Sequence, residues 1–207
     1  MSARADWRWW CAALILGALL LAAAFYFDAN VHAWVLQQQT RNLRKSMLAV
    51  SRWGDWPSHI IVGTVGAAAA YFLSSRRWLR IFVVMIVACA LAGAAARVIK
   101  IAVGRPRPSV TAQGGWHGPS LSSKQNSFPS GHTAASTAFF AALFFARRRI
   151  GLLFLPIPLL IATSRVLLDA HHLSDVVFAA LLGLFCAWLV WRFVQARYPE
   201  RPGVEAR

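Results

Sequence analysis

The chain has 207 residues, is 58% hydrophobic with ten tryptophans, and carries a formal charge of +15. A water-soluble domain would be nearer half apolar, and a nucleic-acid-binding protein would gather its cations on one soluble face. Here the cations stand at the ends of long apolar runs, which excludes both classes and points to a membrane protein.

Six such runs follow in chain order, at about 9–27, 59–74, 81–103, 130–146, 150–168 and 173–194, against the roughly 20 residues that cross a bilayer. The first is too long for the apolar region of a signal peptide, and AAAFYFDA at its end is a weak cleavage site, so it reads as a membrane helix. Residues 28–58 then form a long connection with four basic residues and apolar residues at roughly helical spacing. It reads either as an amphipathic segment lying on the outer surface or as a plain connector. The fourth span is short unless its polar entrance is included. The fifth contains Pro156 and Pro158, which a membrane helix tolerates with a kink. Residues 104–128, rich in Gly, Pro and Ser, read as a loop, and the tail after Tyr198 is expected to fray. Cys11, Cys89 and Cys186 fall in apolar runs without a C-x-x-C pair and read as small buried residues. The expected fold is all-α: a polytopic membrane protein of six transmembrane helices, forming a single domain over residues 1–207.

The charges set an orientation. Arg76, Arg77 and Arg80 lie between spans 2 and 3, and Arg147, Arg148 and Arg149 between spans 4 and 5, with no acid in either loop. Arg4 and Arg8 precede span 1, and Arg192, Arg197, Arg201 and Arg207 cluster at the other terminus. Six spans put these four regions on one side, which the excess of Arg makes cytoplasmic. Trp9, Trp10, Trp53, Trp56, Trp78, Trp188 and Trp191 lie near span ends, as interfacial aromatics do.

Three stretches then fall on the opposite, outer side. KIAVGRPRPS brings Lys100, Arg105 and Arg107 to the end of span 3, against the charge bias. Snorkelling to the interface would account for cations there. Pro106 and Pro108, however, stiffen the backbone around Arg107, as fits a guanidinium whose aim matters. Pro129-Ser130-Gly131-His132 opens span 4. Ser130 suits an N-cap, Gly131 permits close approach to the backbone, and unpaired helix-start amides make an anion cradle beside an ionisable His132. Finally, SRVLLDAHHLSD carries Arg165 at the end of span 5 and His171 and Asp175 at the start of span 6. Four residues apart on a helix, Asp175 can accept one imidazole proton and leave the other nitrogen free to attack. Helix capping and an interfacial histidine would explain either residue alone.

Two histidines and an aspartate could also bind zinc, but Lys100, Arg107 and Arg165 would repel a divalent cation. The same cations suit an anion with charge spread over several oxygens. The chemistry is then phosphoryl transfer without a metal or other cofactor, with side-chain cations and backbone amides supplying the electrostatics.

Together, K-x6-R-P, P-S-G-H and S-R-x5-H-x3-D resemble the signature of the type 2 phosphatidic acid phosphatase family, whose superfamily includes soluble acid phosphatases and vanadium haloperoxidases. The blocks fall at 100–108, 129–132 and 164–175; elsewhere only the six-span pattern is shared. The resemblance implies a helical-bundle phosphatase core. In it Lys100, Arg107 and Arg165 bind phosphate with Ser130 and the Gly131 backbone. His171 attacks phosphorus, Asp175 orients it, and His132 is the general acid. His171 fits the register and His172 does not, while Arg105 is a candidate auxiliary phosphate contact.

The expectation is therefore a membrane lipid phosphatase working at the outer face of a bacterial-type inner membrane, with cytoplasmic termini and no obligate protein partner. Undecaprenyl diphosphate, phosphatidylglycerol phosphate, phosphatidic acid and lipid A phosphate are its candidate substrates. The alternative is a non-enzymatic transporter or binder of phosphorylated lipids.

Overall fold

The computed structural model describes residues 7–110 and 115–198. The tail expected to fray lies outside them, from residue 199 on, as do Arg4, Arg201 and Arg207. The described residues form eight α-helices and one 3-10 turn, with no strand: α1 Trp7–Gln37, α2 Arg41–Trp53, α3 Trp56–Phe72, α4 Arg76–Val103, the turn Ser123–Gln125, α5 Gly131–Ala146, α6 Arg148–Phe154, α7 Pro156–Leu167 and α8 Leu173–Arg197.

Four segments are long and apolar enough to cross a membrane: Trp7–Gln37, Arg76–Val103, Arg148–Leu167 and Leu173–Arg197. Of the six expected, the runs at 59–74 and 130–146 form the shorter helices α3 (17 residues) and α5 (16 residues). Pro156 divides the fifth run into α6 and α7, because proline offers no amide hydrogen to the preceding turn. Cys89 and Cys186 are buried as expected, but Cys11 is exposed on α1.

The core is built from small side chains. α5 packs between α4 and α8, and Ala88, Ala92 and Ala96 of α4, Ala134, Ala138 and Ala142 of α5, and Ala179 and Ala187 of α8 are fully buried. Small residues let helix backbones approach closely, which matters where lipid supplies no hydrophobic drive between helices. Gly183 marks the closest approach: a Cβ there would stand 2.6 Å from the Ala134 carbonyl oxygen. Large apolar side chains such as Leu14, Leu19, Val65 and Phe185 point outward instead, forming a surface suited to lipid.

α1 runs further than its apolar run suggested. Nothing between Gly17 and Gln37 breaks a helix, so it continues well beyond residue 27, reaching about 46 Å against a hydrocarbon core of about 30 Å. Its protein-facing stripe is Ala24, Asp28 and Val35. The connection expected over 28–58 is therefore the last turns of α1 followed by α2. The latter is strongly amphipathic and capped by Thr40, whose Oγ1 accepts from the Leu43 amide at 3.2 Å. α2 packs on α7.

The bundle has two distinct ends. At one, Trp10 meets Trp188 at 4.6 Å, Arg147 lies over Trp78, and Arg80 donates to the Tyr198 carbonyl at 3.4 Å. The Arg-only loops gather there. The other end holds Asp28, Asp55, Asp169 and Asp175, which are all the acids among the described residues.

Candidate active site

The acid-bearing end is organised around Asp175, in the first turn of α8. It is completely buried, and its carboxylate takes a partner on each side. Oδ1 accepts from Arg105 Nη1 at 2.6 Å. Oδ2 accepts from the His172 amide at 2.9 Å and from the Ser127 hydroxyl. The His172 bond caps α8, so Asp175 does the capping that its position suggested. His171 Nδ1 stands 3.5 Å from Oδ2, in ion-pair range without a formed hydrogen bond.

Arg105 is not available to a phosphate, contrary to the sequence expectation. Its Nη1 also donates to Ser174 Oγ at 2.6 Å, and its Nη2 donates to Asp28 Oδ2 at 2.8 Å. The guanidinium lies 5.3 Å from the ring centres of both Phe25 and Trp116. Asp28 closes the network by accepting from the Ser174 amide and hydroxyl, at 2.8 and 2.6 Å. One buried cation thus serves two buried carboxylates, one on α1 and one on α8. The extended α1 is what delivers Asp28 to this layer. Sequence reasoning missed Asp28, Ser127 and Ser174; the available signal was an acid inside an apolar helix, which is costly unless paired. Arg105→Ala strands both carboxylates, and removing one partner of a buried pair costs about 3–5 kcal/mol. The expected outcome is a large drop in the unfolding temperature in detergent, partly recovered by adding Asp28→Asn.

The phosphate-binding candidates come in from four elements. Gly104 ends α4 with φ 61°, and a Cβ there would stand 1.9 Å from the Gly118 carbonyl oxygen. Only glycine fits, and the turn sends the chain on to Arg107. Arg107 is held by its Nε–H to the Ser123 carbonyl at 2.8 Å. Arg165, near the end of α7, donates to Ser51 of α2 at 2.6 Å. Lys100, in the last turn of α4, lines a cavity of about 560 Å³ together with Gly131, His132, Arg97, Asp55 and Trp56. Lys100, Arg107 and Arg165 are close enough to act on one another electrostatically.

Ser130 caps α5, its Oγ accepting from the Thr133 amide at 3.5 Å and the Thr133 hydroxyl at 3.0 Å. Its own amide donates to the Asp175 carbonyl at 3.2 Å, tying the start of α5 to the start of α8. A Cβ on Gly131 would meet nothing within 4 Å, so this helix start faces open space. His132 is partly exposed, its Nε2 4.0 Å from Asp55 Oδ1. Asp55 is a further residue that sequence reasoning missed; it caps α3 by accepting from the Trp56 amide at 3.0 Å.

His171 sits just before α8 and is 3% exposed. Burial holds its pKa down to about 3, Lys100 and Arg165 push the same way, and Asp175 opposes them. The imidazole is neutral at physiological pH and has a lone pair to offer. Burial also lowers the Arg107 pKa, and the Asp175 carboxylate opposes that shift. Among the described residues no three His, Cys, Asp or Glu side chains are grouped to hold a metal ion. The structure therefore assembles three cations, a helix start facing a cavity, a neutral buried imidazole beside a carboxylate, and a second imidazole lining that cavity. Such a set can bind an oxyanion and exchange a covalent bond with it.

The PAP2 superfamily model matches residues 81–199, more than half of the chain. This chain belongs to that superfamily. Two solved structures share the fold. A transmembrane PAP2 type phosphatidylglycerolphosphate phosphatase from Bacillus subtilis aligns with a TM-score of 0.71 at 19% identity, covering 92% of this chain and 98% of that one. Aquifex aeolicus LpxE aligns with a TM-score of 0.56 at 15% identity, covering 79% and 94%. No curated protein matches the chain significantly in sequence. With its long apolar helices and this fold, the chain is a multi-pass membrane protein.

Proposed function

We propose that this protein is a metal-independent lipid phosphatase, a single membrane domain that removes a terminal phosphate through a phosphohistidine. The observation that carries this reading is the approach of Lys100 and Arg165 to a buried His171, with Arg107 close to both cations and His132 on the cavity that Lys100 lines. The scissile phosphate sits among the three cations and the first amides of α5. Nε2 of His171 gives its lone pair to phosphorus. The bond from phosphorus to the leaving oxygen breaks, and that oxygen takes its electron pair and a proton from the His132 imidazolium. Asp55, 4.0 Å away, offers that imidazolium a counter-charge. Water then attacks phosphorus and gives a proton to His132. The phosphorus–nitrogen bond breaks, and phosphate leaves with Nε2 restored. Asp175 faces Nδ1 throughout and holds the proton on that side.

The candidate substrates are undecaprenyl diphosphate, phosphatidylglycerol phosphate, phosphatidic acid and lipid A phosphate. The test is phosphate release from this panel by purified protein in EDTA. Turnover in chelator supports the reading. A loss that zinc or magnesium restores would revive the metal site, and no release from any lipid would favour a transporter or binder.

The bilayer is crossed six times in this reading, by α1, α3, α4, α5, α6 with α7, and α8. The Arg-rich end faces the cytoplasm of a bacterial-type cell, and His132 and His171 face the periplasm. In intact cells an impermeant thiol reagent is expected to label a cysteine placed at position 118 and to leave one at 148 unlabelled; the reverse pattern inverts the orientation.

A further inference from the structure

The cavity holding Lys100 and His132 does not stop at the catalytic groups. It continues along one face of α4 through Arg97, Ala94, Gly93, Ala90 and Cys89, walled by Trp56 and Ile60 of α3 and by Ala135 of α5. Residues 100, 97, 93 and 89 are spaced three or four apart, so they form one stripe. That stripe is about 16 Å long and leads from the charged end of the bundle into its apolar middle. A Cβ on Gly93 would meet nothing within 4 Å, so the floor of the groove is open where its side chains vanish.

Arg97 is the feature the proposed reaction leaves unused. It is exposed, lines this cavity, and is close enough to act electrostatically on Lys100. It stands about 9 Å of helix rise inside the end of α4, where a guanidinium is costly without an anion. The acid sharing the cavity, Asp55, accepts from the Trp56 amide and faces His132.

We propose that the groove takes the hydrocarbon tail of the substrate and that Arg97 binds a second phosphate, lying between the scissile phosphate and that tail. This rests on the phosphatase reading above and narrows its substrate class. The scissile group is fixed at Lys100, Arg107 and Arg165, and the tail extends toward Cys89. The position in between, one turn below Lys100, belongs to the linkage between headgroup and tail. A prenyl diphosphate carries a phosphate there, and so does a glycerolipid whose terminal phosphate is joined through a phosphodiester. Phosphatidic acid and a prenyl monophosphate carry none. A planar guanidinium suits the paired oxygens of such a group.

The test compares matched pairs on the full-length protein in detergent: farnesyl diphosphate against farnesyl monophosphate, and phosphatidylglycerol phosphate against phosphatidic acid. Within at least one pair, wild type is expected to favour the two-phosphate member in kcat/KM. Arg97→Ala should shrink that preference by about 10- to 100-fold, the worth of a charge-assisted hydrogen bond, and Arg97→Lys should restore part of it. A loss confined to the prenyl pair identifies a diphosphate; one confined to the glycerolipid pair identifies a phosphodiester. If the ratios in both pairs are the same in wild type and Arg97→Ala, the proposal is overturned, even if total activity falls. Binding of the same four lipids to His171→Ala separates this inference from the phosphatase reading. An Arg97-dependent binding preference without turnover in wild type sinks the enzyme and keeps the site. Turnover with no Arg97-dependent preference in rate or binding does the reverse.

Discussion

His171→Ala is expected to reduce phosphate release to background, a loss on the order of 10⁴-fold or more, because no other group replaces a covalent nucleophile. His172→Ala is the matched control. The two histidines are adjacent, yet their environments differ. His171 is nearly inaccessible and stands 3.5 Å from Asp175, whereas His172 caps α8 and sets its Nε2 3.3 Å from the Pro106 carbonyl. Loss of His172 should cost some stability and leave most of the turnover. Phosphoenzyme trapped with labelled substrate is expected to map to position 171; label at 172 would overturn the assignment. The pH behaviour follows from the same burial. A histidine whose pKa falls from 6.5 to about 3 on folding is protonated more readily in the unfolded chain. Its contribution to stability is therefore complete above about pH 6.5 and is lost as pH falls toward 3. The acid limb of kcat/KM should not show a group near pH 6.5 belonging to His171.

Much of this end of the molecule was legible in the sequence, because chemistry-bearing residues break an apolar pattern. Lys100, Arg107, Arg165, His132 and His171 stand at the ends of apolar runs, and the parity of the runs puts those ends on one side. The structure brings them together there. Ser130 was legible as a cap because a serine before a glycine and an apolar run is a local signal. The rest depended on contacts between distant segments. Arg105 looks like Arg107 in sequence, two residues away and equally basic, but its role is decided by Asp28, 77 positions earlier. Nothing local says that one guanidinium turns inward to two carboxylates while its neighbour rests against a loop carbonyl. The length of α1 was misjudged for a related reason. The apolar run ends near residue 27, but no breaker follows it, and the turns beyond are held by the ion pair and hydrogen bonds that Asp28 makes with Arg105 and Ser174. Nothing in the sequence singles out Arg97; the groove below Lys100 does.

The largest selective effect is expected at His132. A general acid matters in proportion to the basicity of the leaving group. An alkoxide leaving a lipid monophosphate is strongly basic and needs its proton in the transition state. A nitrophenolate is stable without one. A positioned acid contributes about 10²–10⁴ in rate, so His132→Ala should lose roughly that factor on an alkyl phosphate and far less on a nitrophenyl phosphate. A diphosphate should fall between, since its leaving phosphate is a moderate base. The geometry adds Asp55, 4.0 Å from Nε2. Without that carboxylate the imidazolium loses the counter-charge 4.0 Å away, and the neutral form has no proton to give. Asp55→Asn should therefore reproduce the leaving-group dependence of His132→Ala in weaker form. Phosphohistidine should still form in both variants from a substrate with a good leaving group. His132 also lines the cavity with Lys100, so a ground-state contact with phosphate would add an equal loss for every substrate. The informative quantity is the ratio of mutant to wild type for each leaving group, measured at matched saturation. Equal ratios for alkyl and nitrophenyl substrates would make His132 a binding residue and leave the proton transfer to another group.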